Sequence, residues 1–199
     1  MSPRGVATPD VRELLFAAAE RVLAGAEPTA LTSRAITDEA GCAKGLLHAH
    51  FSGLDEFVAE LVLDRFAATA REVGELPARA GLATVAENLT AAALALLTST
   101  SPRITGLAVS RPAAAALVRQ ALEAGAPGFA ATQDSVADYL DAELRLGRLR
   151  DGADTASLAL ALVGTVHHLL MTGWAGSPEP RAQVERLVAL LSGAAGSPA

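Results

Sequence analysis

The chain has 199 residues, 51% of them hydrophobic but only 4% aromatic, and a net charge of −6. An acidic balance with a pI near 5.2 excludes sequence-blind adhesion of the whole molecule to nucleic acid or to an anionic membrane, and leaves such contact to a local surface. One cysteine, Cys42, excludes an internal disulfide and agrees with a reducing compartment, so a cytoplasmic location is expected.

Residues 1–9 contain no apolar signal core and read as a short mobile arm. Val11, Leu14, Leu15, Ala18, Ala19, Val22 and Leu23 then repeat at three and four, which predicts an amphipathic helix, with Asp10 and Glu13 placed for a capping box. Thr32 can cap a second helix through its hydroxyl, with Leu31 and Ile36 spaced as a hydrophobic staple, and Gly41 stands where a left-handed residue ends it. A third, short helix has room from about Ala43 to Ala49 before His50-Phe51-Ser52-Gly53 interrupts. Two short helices across a three-residue turn have helix-turn-helix spacing, and the second can lie in a DNA major groove. A plain pair of core helices has the same spacing.

Leu54, Phe57, Val58, Leu61, Val62 and Phe66 predict a long helix ending near Val73-Gly74, a natural lever between the first segment and the rest. After a break at 77–81, further helices are expected through Leu82–Leu97, then, past a boundary at Ser99–Pro102 and a short segment to Ser110, from Pro112 to Ala124 and from Phe129 to about Gly147. No alternating run is long enough for a sheet. The stretch from Thr155 to Pro178 has no formal charge, which raises the question of a membrane span. Ser157, Thr165, His167, His168 and Thr172 within it, and the lack of Lys or Arg clusters at its flanks, argue against one, so no membrane partner is expected. A helix apolar on every side must be covered on every side. Leu158, Leu162, Val166, Leu169 and Leu170, with Val184, Leu187, Val188 and Leu191 of the last helix, are therefore expected to form an intersubunit four-helix bundle, making a homodimer.

Thr32, Ile36, Ala40-Gly41, Gly45, Leu47, His50-Phe51 and Phe57, preceded by the amphipathic helix, occupy the places of a known pattern. Over about its first 60 residues the chain resembles the TetR family of transcriptional regulators. The resemblance implies an all-α fold: a helix-turn-helix DNA-binding domain over 1–53, a connecting helix over 54–73, and an effector-binding and dimerisation domain over 74–199. It implies a homodimer that binds a near-palindromic double-stranded DNA operator, usually as a repressor, and is released by a small-molecule effector. Carried onto this chain, the DNA-facing positions are Thr32, Ser33, Arg34, Ala43, Lys44, Gly45, Leu46, His48 and His50.

Departures from the pattern are concentrated in the reading head. Cys42-Ala43 stands where the family has Val-Ser, removing a capping hydroxyl worth about 1 kcal/mol. His48 replaces a Tyr, Leu54 a Lys and Leu46 a Thr. Residues 1–60 hold five cations against nine acids, so this segment carries −4 of the chain's charge. Few cations predict weak DNA binding with a shallow salt dependence. Either the acids face away from the duplex, or the chain is a ligand-binding or interaction dimer of the same fold with weakened DNA binding.

Helix facing nominates Phe66, Leu89, Leu97, Val136, Tyr139 and His167 as effector-pocket residues. Arg103 joins them as a possible partner for an anionic ligand, with Arg111 and Arg119 nearby and solvated surface arginines as the alternative; Trp174 is a further candidate lining residue. His48 and His50 fall on different faces of a helix, away from Cys42, so no metal site is expected. No phosphate loop, nucleophile elbow or paired-carboxylate arrangement is present, so neither an enzyme nor a cofactor is expected.

Overall fold

The computed structural model describes residues 10–25, 31–99, 102–172 and 179–195. The residues 1–9 read as an arm, and Trp174, lie outside them. Ten α-helices follow one another: α1 (Val11–Gly25), α2 (Ser33–Glu39), α3 (Leu46–His50), α4 (Leu54–Gly74), α5 (Val85–Ser99), α6 (Pro102–Ser110), α7 (Pro112–Glu123), α8 (Phe129–Arg145), α9 (Thr155–Met171) and α10 (Pro180–Ala195). A 3₁₀ turn, Leu76–Arg79, links α4 to α5. Among the described residues there is no strand, so the fold is all-α.

The start of α2 forms as its sequence dictates. Thr32 is extended and its Oγ1 accepts a hydrogen bond from the Ala35 N–H at 3.1 Å, while Leu31 and Ile36 are both buried beside it. At the other end Gly41 has φ +65°, and the N–H groups of Gly41 and Cys42 bond to the carbonyls of Asp38 and Thr37. That is a Schellman turn, which satisfies carbonyls that the helix leaves open. The entry to α1 differs from expectation. Asp10 does cap it, accepting from the Arg12 N–H at 3.0 Å, but Glu13 extends to Arg65 of α4 at 3.2 Å. A complete capping box occurs instead at α5, where Thr84 and Glu87 exchange backbone-to-side-chain hydrogen bonds of 2.9 and 3.1 Å.

Helix α3 is shorter than its pattern suggests. Ala43, Lys44 and Gly45 precede it rather than belong to it, and Gly45 at its start has no side chain with which to cap. Without a hydroxyl at 42 or 43, the chain makes a turn from the Ala43 carbonyl to the Leu46 N–H before the helix begins.

Two apolar cores form, and α4 belongs to both. One gathers Leu15, Phe16 and Leu23 of α1, Ile36 of α2, Leu47, Phe51, and Phe57, Val58, Leu61 and Val62 of α4. Ile104 and Leu107 of α6 and Ala114 of α7 complete it, so packing crosses the division between residues 1–53 and 74–199 read from the sequence. The second core unites Val73 at the far end of α4 with α5, α8, α9 and α10. No helix among the described residues is long and apolar enough to cross a membrane.

A buried polar clamp fixes the far end of the second core. The Asn88 side-chain N–H donates to the Leu82 carbonyl (2.7 Å) and to the Tyr139 hydroxyl (3.0 Å). Glu143, wholly buried, accepts from the Gly81 N–H at 3.1 Å and pairs with Arg148 at 3.2 Å, and Arg148 also donates to the Ala83 carbonyl. The loop 81–83 is thereby tied to α5 and α8, which explains how Ala83 is held at φ +49° despite its Cβ. Burial pushes the Tyr139 phenol up to about 12 from its ordinary 10, with the Glu143 carboxylate acting in the same direction. Tyr139 is the single tyrosine of the chain, so tyrosinate absorbance reports it directly. The native protein is expected to titrate with a midpoint near 12, and the urea-unfolded chain near 10. Because the folded state keeps a proton that the unfolded state loses, stability is expected to fall as pH rises from 10 towards 12, and Tyr139→Phe should remove that part of the slope. A native midpoint near 10 would contradict the clamp.

Candidate functional site

The exposed edge of the first core is formed by α2, the turn at 41–45 and α3. Thr32, Arg34, Ala43, Lys44, Gly45, His48 and His50 are exposed, and Ser33 and Leu46 are half-exposed. Leu47 between them is fully buried, so α3 is anchored by one side chain and presents the others outward. The anchor continues into an aromatic triad. Phe51 meets Phe57 edge-on with centroids 5.0 Å apart, and Phe16 of α1 lies 5.5 Å from Phe57 and 6.0 Å from Phe51. The Arg12 guanidinium sits 5.1 Å from the Phe51 ring centre and pairs with Glu60.

The acids of this region are mostly engaged within the protein. Arg65 of α4 gathers Glu20 (2.7 Å), Glu13 (3.2 Å) and Asp64 (2.8 Å), Arg21 pairs with Glu39 (2.7 Å), and Arg111 pairs with Asp55 (2.6 Å). Glu56 accepts from Ser52, and that bond holds its carboxyl below the usual range. Arg34 reaches Asp38 one turn away at 3.4 Å, a solvated pair of the kind worth only a few tenths of a kcal/mol. Among the described residues, Lys44 is a head cation with no carboxylate partner and is exposed.

Arg103 and Arg111 have roles that spacing did not reveal. Arg103 donates to the Leu23 carbonyl and, at 2.8 Å, to the Ala24 carbonyl, capping the C-terminal end of α1 where carbonyls lack helical partners. This is a correction to its place among the pocket candidates. With Arg111 on Asp55, the α6–α7 corner holds both α1 and the start of α4.

A cleft lies farther along α4. Phe66 and Thr69 of α4 face Gly128, Phe129 and Thr132 at the start of α8, with Leu96 of α5 and Leu170 of α9 closing it; the cavity between them is about 10 Å³, closed down to roughly the room of one water and partly open to solvent. Phe66 and Phe129 meet edge-on at 5.2 Å, and Phe129 lies 4.4 Å from the His167 ring of α9. Gly128 brings the backbone close to Leu122: a Cβ on it would stand 2.6 Å from the end of the Leu122 side chain, which would have to shift. Of the pocket candidates, Phe66 lines this cleft and His167 adjoins it through Phe129. Leu89, Leu97, Val136 and Tyr139 are packed inside the second core and line no part of it. Thr69, Phe129 and Thr132 were missed as lining residues, although each threonine lies three residues after a phenylalanine, on the same helix face.

The residues read as a dimer seam are likewise placed in the chain's own core. Leu162, Val166, Leu169 and Leu170 of α9, and Val184, Val188 and Leu191 of α10, are buried in the single chain, with Leu158 and Leu187 packed against them. The sequence pattern could not tell which side of an all-apolar helix meets its own protomer. The outward stripe is Leu160, Gly164 and His168 on α9 with Ala189, Leu190 and Gly193 on α10, Leu160 being 57% and Leu190 70% exposed.

Residues 15–61 match the family described as bacterial regulatory proteins, tetR family. The head is similar to that of tetR-family regulators. The whole chain has the fold of TetR-family regulators. A protein from Mesorhizobium loti described as a TetR-family transcriptional regulator is 16% identical, with 96% of each chain covered and a TM-score of 0.68. The Bacillus subtilis transcriptional regulator FadR, in complex with stearoyl-CoA, is 15% identical, with 90% of this chain and 97% of that one covered and a TM-score of 0.63. The SmeT–triclosan complex is 20% identical, with 94% and 92% covered and a TM-score of 0.67. No curated protein sequence matches the chain significantly.

If the α6–α7 arginines hold the head, Arg103→Ala and Arg111→Ala together are expected to raise amide exchange in α1 and in the first turn of α4 about tenfold, leaving α8 and α10 unchanged. Equal protection of α1 in wild type and variant would remove the assigned coupling.

Proposed function

We propose that the protein is a ligand-responsive transcriptional regulator, a repressor that binds a near-palindromic operator as a homodimer and is released by a small molecule. The observation that carries this is a single helix, α4, whose first half packs the head and whose middle lines the cleft. A ligand entering between Phe66 and Phe129 must separate α4 from α8. Arg65 ties α4 to Glu13 and Glu20 of α1, so displacement of α4 takes the head with it. Two recognition helices must enter successive major grooves about 34–36 Å apart, and a change in head spacing weakens that fit. The ligand shifts the equilibrium only by its difference in affinity for the two head arrangements. The bound small molecules of FadR and SmeT support a ligand-receptive bundle of this shape.

The second copy docks on the outward stripe of α9 and α10, where Gly164 lets helices approach closely and Leu160 and Leu190 supply apolar surface. A charge at its centre is expected to break the pair. Leu160→Glu should convert the dimer to a species of about 20 kDa at micromolar concentration by sedimentation, with helix content unchanged. A wild-type monomer at that concentration would remove the dimer.

A second reading keeps the fold and the ligand but weakens DNA contact. It is favoured by the pairing of Arg12, Arg21 and Arg34 with carboxylates, which leaves few cations for phosphates. Anisotropy titration with genomic fragments flanking the gene separates the two. Regulator function requires binding at about 50 mM salt, with Lys44→Ala reducing the salt slope by about 1 for each protomer. No binding below that salt favours the second reading, and unchanged affinity in Lys44→Ala refutes the assigned head geometry.

A further inference from the structure

The walls of the cleft restrict what can enter it. Its rings are Phe66 and Phe129, and among the described residues its polar side chains are Thr69 and Thr132. Each threonine hydroxyl already donates within its own helix, Thr69 to the Arg65 carbonyl at 2.8 Å and Thr132 to the Gly128 carbonyl at 3.2 Å. Each oxygen, having given its proton to its own helix, keeps lone pairs with which it can accept. Among the described residues no cation lines the cleft, and the guanidinium of Arg65 on α4 is committed to three carboxylates. His167, exposed on α9 beside Phe129, is held below the ordinary imidazole range by loss of water and by the neighbouring His168, which disfavours its charged form. A carboxylate or phosphate would meet acceptors and aromatic faces, and lose its water without replacement.

We infer that the effector is a small, uncharged aromatic molecule bearing one O–H or N–H donor, a phenol in its simplest form. Its ring parts the edge-on pair of Phe66 and Phe129 and takes up the stacking that the pair gives up, and its donor bonds to Thr69 or Thr132. The two threonines select for the donor and the two phenylalanines for the flat ring. This rests on the cleft being the effector site proposed above.

Calorimetric titration of the full chain, without DNA, with para-cresol, its methyl ether, cyclohexanol and benzoate tests the assignment. Para-cresol is expected to bind, the ether and cyclohexanol each about tenfold more weakly, and benzoate not at all. The double variant Thr69→Val, Thr132→Val should bring para-cresol to the level of the ether while leaving the ether's own affinity unchanged, which also reports that the variant is folded. Absence of para-cresol binding at millimolar concentration, benzoate binding as tightly as para-cresol, or a double variant that still prefers the phenol to the ether would each overturn the ligand class. Binding without release from DNA would leave the ligand class standing and count against the regulator reading alone.

Discussion

Everything in this molecule depends on the continuity of α4. A helix of 21 residues is about 30 Å long, enough to run from the packed head to the far end of the bundle without a break. Its first turns bury Phe57, Val58, Leu61 and Val62 in one core, its last buries Val73 in the other, and Phe66 and Thr69 between them border the cleft. A helix held at both ends by close-packed side chains transmits displacement, because such interiors have two arrangements rather than a continuum of soft ones. The polar clamp of Asn88, Tyr139, Glu143 and Arg148 anchors the loop that follows α4 and so restrains its far end. Under the proposed mechanism, movement started at the cleft is directed towards the head.

Arginine does most of the joining between elements. Arg12, Arg65, Arg103 and Arg111 each connect helices that are distant in sequence, to carboxylates or to open carbonyls at the end of α1. Five donors in a fixed planar fork allow one side chain to serve several acceptors, as Arg65 does with Glu13, Glu20 and Asp64. The consequence for the head is electrostatic. Its net charge of −4 overstates the repulsion a duplex would meet, since Glu13, Glu20, Glu39, Asp55 and Glu60 are neutralised by neighbours. It also overstates the cations on offer, since Arg12 and Arg21 are engaged in the same pairs.

The cleft and the outer stripe follow from one fact about α8 and α9: each has more apolar surface than its own core can cover. On α8 the surplus is Phe129, which turns to Phe66 and His167 and leaves a seam along α4. On α9 the surplus is Leu160, set apart from the buried Leu162, Val166 and Leu169 on the opposite side. One surplus meets a narrow seam that a ligand would have to widen, and the other faces outward with Gly164 beside it.

Local chemistry was legible before any coordinates. Thr32 as a cap, Gly41 as a left-handed stop, Pro112 at a helix start and the spacing of Leu54 to Phe66 depend on neighbours within a turn or two, so the sequence by itself determined most of the helical pattern, and the family resemblance implied the outward edge from Ala43 to His50. Only the tertiary structure decided which faces meet. It put Arg103 on α1 rather than in a pocket, Leu89, Leu97, Val136 and Tyr139 in solid core, and the expected dimer seam inside the protomer. The reason is physical: periodicity states that a side chain is to be hidden from water, but burial is non-directional, and the identity of the covering surface is set by contacts between residues far apart along the chain.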